Sequence, residues 1–320
     1  MKHILVTGAT GFLGRSLVRR LHGDGYRLSV STRRPSDCFP PAVRTHVVDV
    51  ASPGASWEGV LDGIDVVVHC AARVHIMEDK SVDPLCEFRK VNVEATLKLA
   101  RDASRAGVRR FVFISSIKVN GEGTPAGVPY TANDAPRPTD AYGISKMEAE
   151  KALLELASNV DMDVVIIRPV LVYGPGVKAN FLSMMRILVK GIPLPLGSVH
   201  NRRSLVALDN LCDLVCVCIE HPAAANQVFL VSDGEDLSTT MLLQRLARAL
   251  GVSARLLPVP TWVLKSGAAV IGKSGVSQRL CGSLQVDISK TCLLLGWRPP
   301  MSVDDALAAT AQHYLDHSKQ

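Results

Sequence analysis

The feature that most constrains the fold lies at the start of the chain. An apolar run, Ile4-Leu5-Val6-Thr7, leads directly into Gly8-Ala9-Thr10-Gly11-Phe12-Leu13-Gly14, and an amphipathic stretch follows from Gly14 to Gly23. A glycine-rich turn between a strand and a helix brings backbone close to an anion and aims the free N–H groups and positive dipole end of the helix at it. The spacing is G-x-x-G-x-x-G, which departs from the G-x-G-x-x-G of many dinucleotide-binding turns. A glycine triplet alone says little, but one behind the first strand of an alternating α/β pattern predicts a pyrophosphate site.

That alternation continues through the first half. Short β-rich runs at Ile4–Thr7, Leu28–Thr32, Val43–Val48, Val66–His69, Phe111–Ser115 and Val164–Arg168 are separated by helical stretches at Gly14–Gly23, Val91–Ala106 and Ala141–Ala157. The pattern predicts a Rossmann-type, doubly wound parallel sheet with helices on both faces. From Gly174 it loosens, punctuated by Pro193, Pro195 and Pro222. Residues 1–173 are therefore expected to form the nucleotide-binding domain, with 205–232 returning to it, and 174–204 with 233–320 to form a smaller C-terminal α/β substrate lobe.

Composition excludes little more. Apolar residues make up 47% and charged residues 21%, with no apolar run near the roughly 20 residues of a membrane span. Trp262 to Ile271, broken by Lys265 and Gly267, reads as a buried helix. The N-terminus reads as a first strand and its turn rather than a signal peptide, so a cytoplasmic protein is expected. Eight cysteines without a C-x-x-C pair read as buried free thiols, so neither metal nor disulfide is expected. A dispersed net charge of +6 suits an anionic small molecule as well as nucleic acid.

Two further constellations carry chemistry. After the second strand, where an acidic residue would bind the ribose 2'-hydroxyl of NAD, the chain has Ser31-Thr32-Arg33-Arg34. Guanidinium groups match phosphate geometry, so Arg33 and Arg34 favour NADP, with NAD the alternative. Asp49-Val50 sits where an adenine contact is expected. Tyr142 and Lys146 are four apart, hence on one helix face. The lysine charge is expected to lower the Tyr142 pKa towards neutrality, making it a proton donor or acceptor. Ser115 and Ser116 end a strand, at the sheet edge where α/β proteins bind ligands.

With these motifs in order, the chain resembles the extended short-chain dehydrogenase/reductases, in the group of nucleotide-sugar epimerases, dehydratases and reductases. The resemblance covers nearly the full length. It adds His69-Cys70-Ala71-Ala72, Val91-Asn92, Arg168-Pro169, Tyr173-Gly174-Pro175-Gly176 and the tail Leu294-Leu295-Gly296-Trp297-Arg298-Pro299. It implies Ser116 as the triad hydroxyl, with Ser115 the runner-up, Tyr142 as general acid/base and Lys146 on the nicotinamide ribose. Gly8, Thr10, Gly11, Phe12, Leu13, Gly14, Ala71, Ala72, Asn92 and Pro169 would touch the cofactor. Asn180, Phe181 and Arg203 would hold the substrate diphosphate, and Arg203 also has a direct rationale as a guanidinium facing pyrophosphate. A homodimer through a four-helix bundle of Val91–Ala106 and Ala141–Ala157 is implied as well, with a UDP-sugar as partner rather than nucleic acid or membrane.

Dehydratases of this group carry Asp-Glu after the triad hydroxyl. Ile117-Lys118 stands there instead, which argues against dehydration. Ala72-Arg73-Val74-His75 and Gly282-Ser283-Leu284-Gln285-Val286-Asp287 resemble bacterial reductases of UDP-4-keto-6-deoxy-N-acetylhexosamines, which serve surface-polysaccharide synthesis. With Arg33-Arg34 they lead to NADPH-dependent C4-keto reduction as the expected reaction. A UDP-hexose or UDP-N-acetylhexosamine 4-epimerase with tightly bound NAD is the alternative, and a non-catalytic NADP sensor the remote one.

Overall fold

The computed structural model describes residues 1–52, 54–74, 83–125, 127–270 and 274–318. Ten strands occur among them: β1 (His3–Thr7), β2 (Arg27–Thr32), β3 (Arg44–Val47), β4 (Val66–His69), β5 (Arg110–Ile114), β6 (Asp163–Pro169), β7 (Leu171–Tyr173), β8 (Arg203–Ala207), β9 (Val228–Val231) and β10 (Asp236–Leu237). Seven form a sheet in the order β3-β2-β1-β4-β5-β6-β9, parallel at every pairing. The inner strands β1, β4 and β5 are buried throughout, which is why they read as unbroken apolar runs.

Helices α1 (Phe12–Gly23), α2 (Pro84–Arg89), α3 (Thr96–Arg105) and α4 (Ala141–Ala157) belong to this half. A wider π-type turn, Lys90–Ala95, joins α2 to α3. After them come α5 (Ala179–Val189), α6 (Leu208–Glu220), α7 (Thr239–Ala249), α8 (Thr261–Val270), α9 (Ser274–Cys281), α10 (Ser289–Leu295) and α11 (Val303–His317). The chain re-enters the large sheet through β9, which pairs β6, and α6 packs on α1. A second core gathers Tyr173, Phe181, Leu205, Leu243 and Leu307, beside a small sheet ordered β10-β8-β7.

Strand order reverses between β1 and β4, which opens a crevice at their carboxyl ends. Thr7 lies opposite His69 there. The His69 ring bridges the hydroxyls of Thr7 and Thr96, at 2.7 and 3.0 Å, and burial holds its pKa down to about 3, so it is a neutral tie between sheet and α3.

Two expectations are corrected. Trp262 to Ile271 is helical through α8, but Trp262 is 70% and Val263 39% exposed, because this helix packs chiefly on α9 and leaves its other face open; Ile271 lies outside the described residues. The cysteines are free, yet only Cys212, Cys218 and Cys281 are buried, while Cys38 and Cys86 are exposed. No helix among the described residues is long and apolar enough to cross a membrane.

Candidate active site

The glycine turn is built for close approach. Gly8 has φ +66°, and a Cβ there would stand 2.6 Å from the Ala71 nitrogen; at Gly14 it would stand 2.2 Å from the Gly8 carbonyl oxygen. Neither position accepts a side chain without moving backbone. The Gly11 N–H donates to the Gly8 carbonyl at 2.9 Å, and α1 starts at once with no side-chain cap. Its free N–H groups therefore face the crevice, beside the exposed Thr10 and the half-buried Phe12 and Leu13. This cradle fits a dinucleotide pyrophosphate.

At the end of β2 the Ser31 and Thr32 hydroxyls are buried without a hydrogen-bond partner, and Arg33 and Arg34 lie exposed beyond them. Buried polar groups without partners are rare because each costs free energy until satisfied. Polar ligand atoms at this edge would relieve that. Asp49, expected at the adenine, is exposed and accepts the Ala51 N–H at 3.0 Å within its own turn, while Val50 is buried.

Asn92 is 1% exposed and fully engaged: its amide donates to the Arg73 carbonyl and to Ser145 Oγ, each at 3.0 Å, and its oxygen accepts the Arg73 N–H at 2.9 Å. It ties the loop carrying Ala71 and Ala72 to α4 rather than presenting a free amide. Pro169 is buried at the end of β6.

Asp140 starts α4 by accepting the Gly143 N–H at 2.7 Å, which fixes where Tyr142 emerges. Tyr142 is half-buried, with its phenol under the influence of the Ser116 side chain and its ring edge-on to Phe88 at 6.0 Å. One turn on, the Lys146 ammonium is buried, donates to the Ile114 carbonyl at 2.8 Å and lies 4.3 Å from the Phe113 ring. The expected effect of Lys146 on the phenol is therefore corrected. Burial pushes Tyr142 up to about 12, opposed by the nearby Ser116 hydroxyl, and pushes Lys146 down to about 8. The lysine charge is turned onto a backbone carbonyl in this arrangement, not onto the phenol.

The two strand-end hydroxyls separate. Ser115 donates to Glu150 and is spent there, whereas Ser116 faces Tyr142. Glu150 also receives Arg168, whose Nη2 lies 2.5 Å from Oε2 and whose Nη1 donates to Asn120 at 3.0 Å. Both partners are about 5% exposed or less, so the pair is stable only because further hydrogen bonds offset its desolvation. Sequence reading missed Glu150 as a site residue. Its signal is the helical spacing Tyr142, Lys146, Glu150, and the extended neighbour Arg168 supplies its counter-charge.

Beyond Ser116 the chain borders an open pocket of about 650 Å³, lined by Glu122, Arg137, Thr139, Lys265, Gln278 and Ser283 among others. Arg203 bonds to this lining, with Nη1 donating to the Gly282 carbonyl at 3.1 Å, and burial lowers its pKa. Asn180 is exposed at the start of α5. Phe181 is 2% exposed and stacked on Tyr173 at 5.4 Å, so its ring is spent on packing rather than open to a ligand. Of the reductase-like phrases, Gly282 and Ser283 line the pocket and Arg73 meets Asn92, while His75 lies outside the described residues.

Residues 4–232 match the model of the NAD dependent epimerase/dehydratase family. The chain is 50% identical, over 98% of its length and 96% of the relative, to a UDP-glucose 4-epimerase of Vibrio cholerae. Among solved structures it is similar to MoeE5 in complex with UDP-glucuronic acid and NAD, at 25% identity and a TM-score of 0.75 over 98% of this chain and 99% of that one. A UDP-glucuronic acid 4-epimerase from Bacillus cereus in complex with NAD shares the fold at 21% identity, with a TM-score of 0.79 over 98% and 99% of the two chains.

Proposed function

The chain belongs to the NAD dependent epimerase/dehydratase family, and on that premise we propose that it inverts C4 of a UDP-linked hexose or N-acetylhexosamine with a retained NAD. The observation that carries this reading is the 50% identity, along almost the whole of both chains, to a UDP-glucose 4-epimerase. It displaces the expected reductase reaction from first place.

The Gly8–Gly14 turn would hold the pyrophosphate, Asp49 and Val50 the adenine side, and Ala71, Ala72, Pro169 and Lys146 the nicotinamide half. When bound, the nicotinamide supplies reversible acceptance of a hydride from C4. Tyr142 takes the proton from the C4 hydroxyl and returns it after inversion, and Ser116 bonds to the same sugar oxygen. Lys146, its pKa lowered to about 8 by burial, stands one turn behind the phenol on the same helix. Arg203 and Asn180 would bind the diphosphate. Inversion requires one sugar to present both faces to the nicotinamide at one site. Ile117 and Lys118 supply no carboxylate for dehydration.

One observation favours the second reading, NADPH-dependent reduction of a UDP-4-keto-6-deoxy-N-acetylhexosamine. Arg33 and Arg34 beside the unpartnered Ser31 and Thr32 hydroxyls suit a 2'-phosphate. Incubation with UDP-glucose or UDP-N-acetylglucosamine, followed by separation of the 4-epimers, tests the first reading. Failure to interconvert either pair, together with NADPH consumption on a 4-keto sugar nucleotide, would replace it with the second. The same family reading carries a homodimer through α3 and α4, where Leu97, Leu154 and Leu156 are only half-buried; light scattering checks it.

A further inference from the structure

Lys118 stands two residues after Ser116, and no step above uses its charge. The turn Ile117–Val119 follows β5, and the Ser116 hydroxyl accepts the Lys118 backbone N–H at 3.3 Å. The Lys118 ammonium forms a short ion pair with Asp140 Oδ2 and a longer one, 3.5 Å, with Glu122. The other Asp140 oxygen accepts the Gly143 N–H at 2.7 Å and so caps α4 immediately before Tyr142. Gly143 shows how closely the two segments meet, since a Cβ there would stand 2.8 Å from the Lys118 carbonyl oxygen. Ser116, Lys118 and Asp140 thus form a continuous chain of contacts that ends on the helix turn bearing Tyr142.

We propose that Lys118 is a positioning residue for Tyr142: its ammonium holds and neutralises Asp140, the carboxylate that caps the helix bearing the phenol. The surroundings of the phenol make this the decisive charge. From its own helix Tyr142 meets Asp140 at the cap, with Lys146 a turn further on but bonded to the Ile114 carbonyl. From the turn after β5 come Ser116 and, through Asp140, Lys118 and Glu122. From α2 comes the uncharged Phe88, with the Arg73 guanidinium 5.6 Å from its ring. The Asp140 carboxylate opposes ionisation of Tyr142, and Lys118 is the cation bonded to it. The residue that stands where a dehydratase has a carboxylate is therefore turned away from sugar chemistry and towards the proton-transferring phenol.

This inference rests on Tyr142 as the proton-transferring group, so its test reads the phenol directly and needs no substrate. Ultraviolet titration of phenolate in the cofactor-loaded enzyme, with Tyr142→Phe subtracted to isolate one of the five tyrosines, gives the Tyr142 midpoint. Lys118→Met should move that midpoint up by about one pH unit. Lys118→Arg should leave it near wild type, and Asp140→Asn in the Lys118→Met background should bring it back, since Asn also caps helices. In turnover, Lys118→Met should lower kcat about tenfold near neutral pH with KM little changed, a loss in the range that misplaced acid/base groups produce. A folded Lys118→Met enzyme with an unmoved midpoint, or a shift that Asp140→Asn does not reverse, overturns the proposal. A shifted midpoint in an enzyme that turns over no UDP-hexose leaves the proposal standing and overturns the epimerase reading instead.

Discussion

The two ends of the ligand crevice are built in opposite ways. At the Tyr142 end the buried polar side chains are partnered within the chain: Ser115 and Arg168 on Glu150, Lys146 on the Ile114 carbonyl, Asn92 on Arg73 and Ser145. At the β2 end two buried hydroxyls have no partner and two guanidinium groups lie in solvent. Folding alone orders the first end, and it places the phenol before any ligand arrives, which is what acid/base catalysis at a fixed oxygen needs. The second end leaves two hydroxyls and two guanidinium groups free to meet a ligand, which makes it the place to test cofactor preference.

The contrast fails most visibly if Tyr142 is dispensable. Tyr142→Phe should reduce turnover by about 10³-fold while leaving cofactor affinity within a few-fold, as measured by calorimetry beside the steady-state assay. An equal loss in both would mean that the two ends are one unit.

Breaking the buried pair probes how far the Tyr142 end depends on its own network. Glu150→Ala leaves the Arg168 guanidinium buried and unpaired and should cost about 3–5 kcal/mol in urea unfolding, with Ser115 released as well. A loss under about 1 kcal/mol, the value of an exposed pair, would show that the network is not what orders the site.

Lys146 gives the comparison a pH axis. Its pKa is lowered from 10.5 to about 8 by burial, so the unfolded chain binds more protons at this site between those values. The destabilisation it brings is full below about pH 8 and fades as pH rises through that window. The stability difference between Lys146→Met and wild type should accordingly shift by about 2 kcal/mol in favour of wild type from about pH 7 to about pH 9.5. Equal slopes in the two proteins would place the lysine in solvent.

The smallest effect belongs to the open end. Arg33→Ala combined with Arg34→Ala should weaken NADP binding about tenfold or more and leave NAD within about twofold, because a charged hydrogen bond contributes about 1.5–3 kcal/mol. Equal affinity changes for both cofactors would remove these residues from 2'-phosphate recognition.

The same contrast explains what could be read from sequence. The strands, the glycine turn and Tyr142 with Lys146 were legible because each depends on local pattern: buried parallel strands are continuously apolar, the turn needs residues without Cβ, and a spacing of four makes one helix face. Glu150 was spaced just as plainly from Lys146, but its role depends on Arg168 from β6, a contact only the fold creates. The direction of the Lys146 charge was misread for the same reason, since the Ile114 carbonyl that receives it is not visible in a motif. Trp262 shows the complementary failure. Burial of an apolar side chain depends on which neighbour covers its face, and among the described residues Trp262 is left 70% exposed.

The central claim is that a hydride leaves C4 and returns to the same carbon while Tyr142 carries the proton. UDP-glucose labelled with deuterium at C4, incubated with the purified enzyme and no added nucleotide, tests it most directly. The account expects UDP-galactose that retains the deuterium. No interconversion, or UDP-galactose that has lost the label, would contradict it.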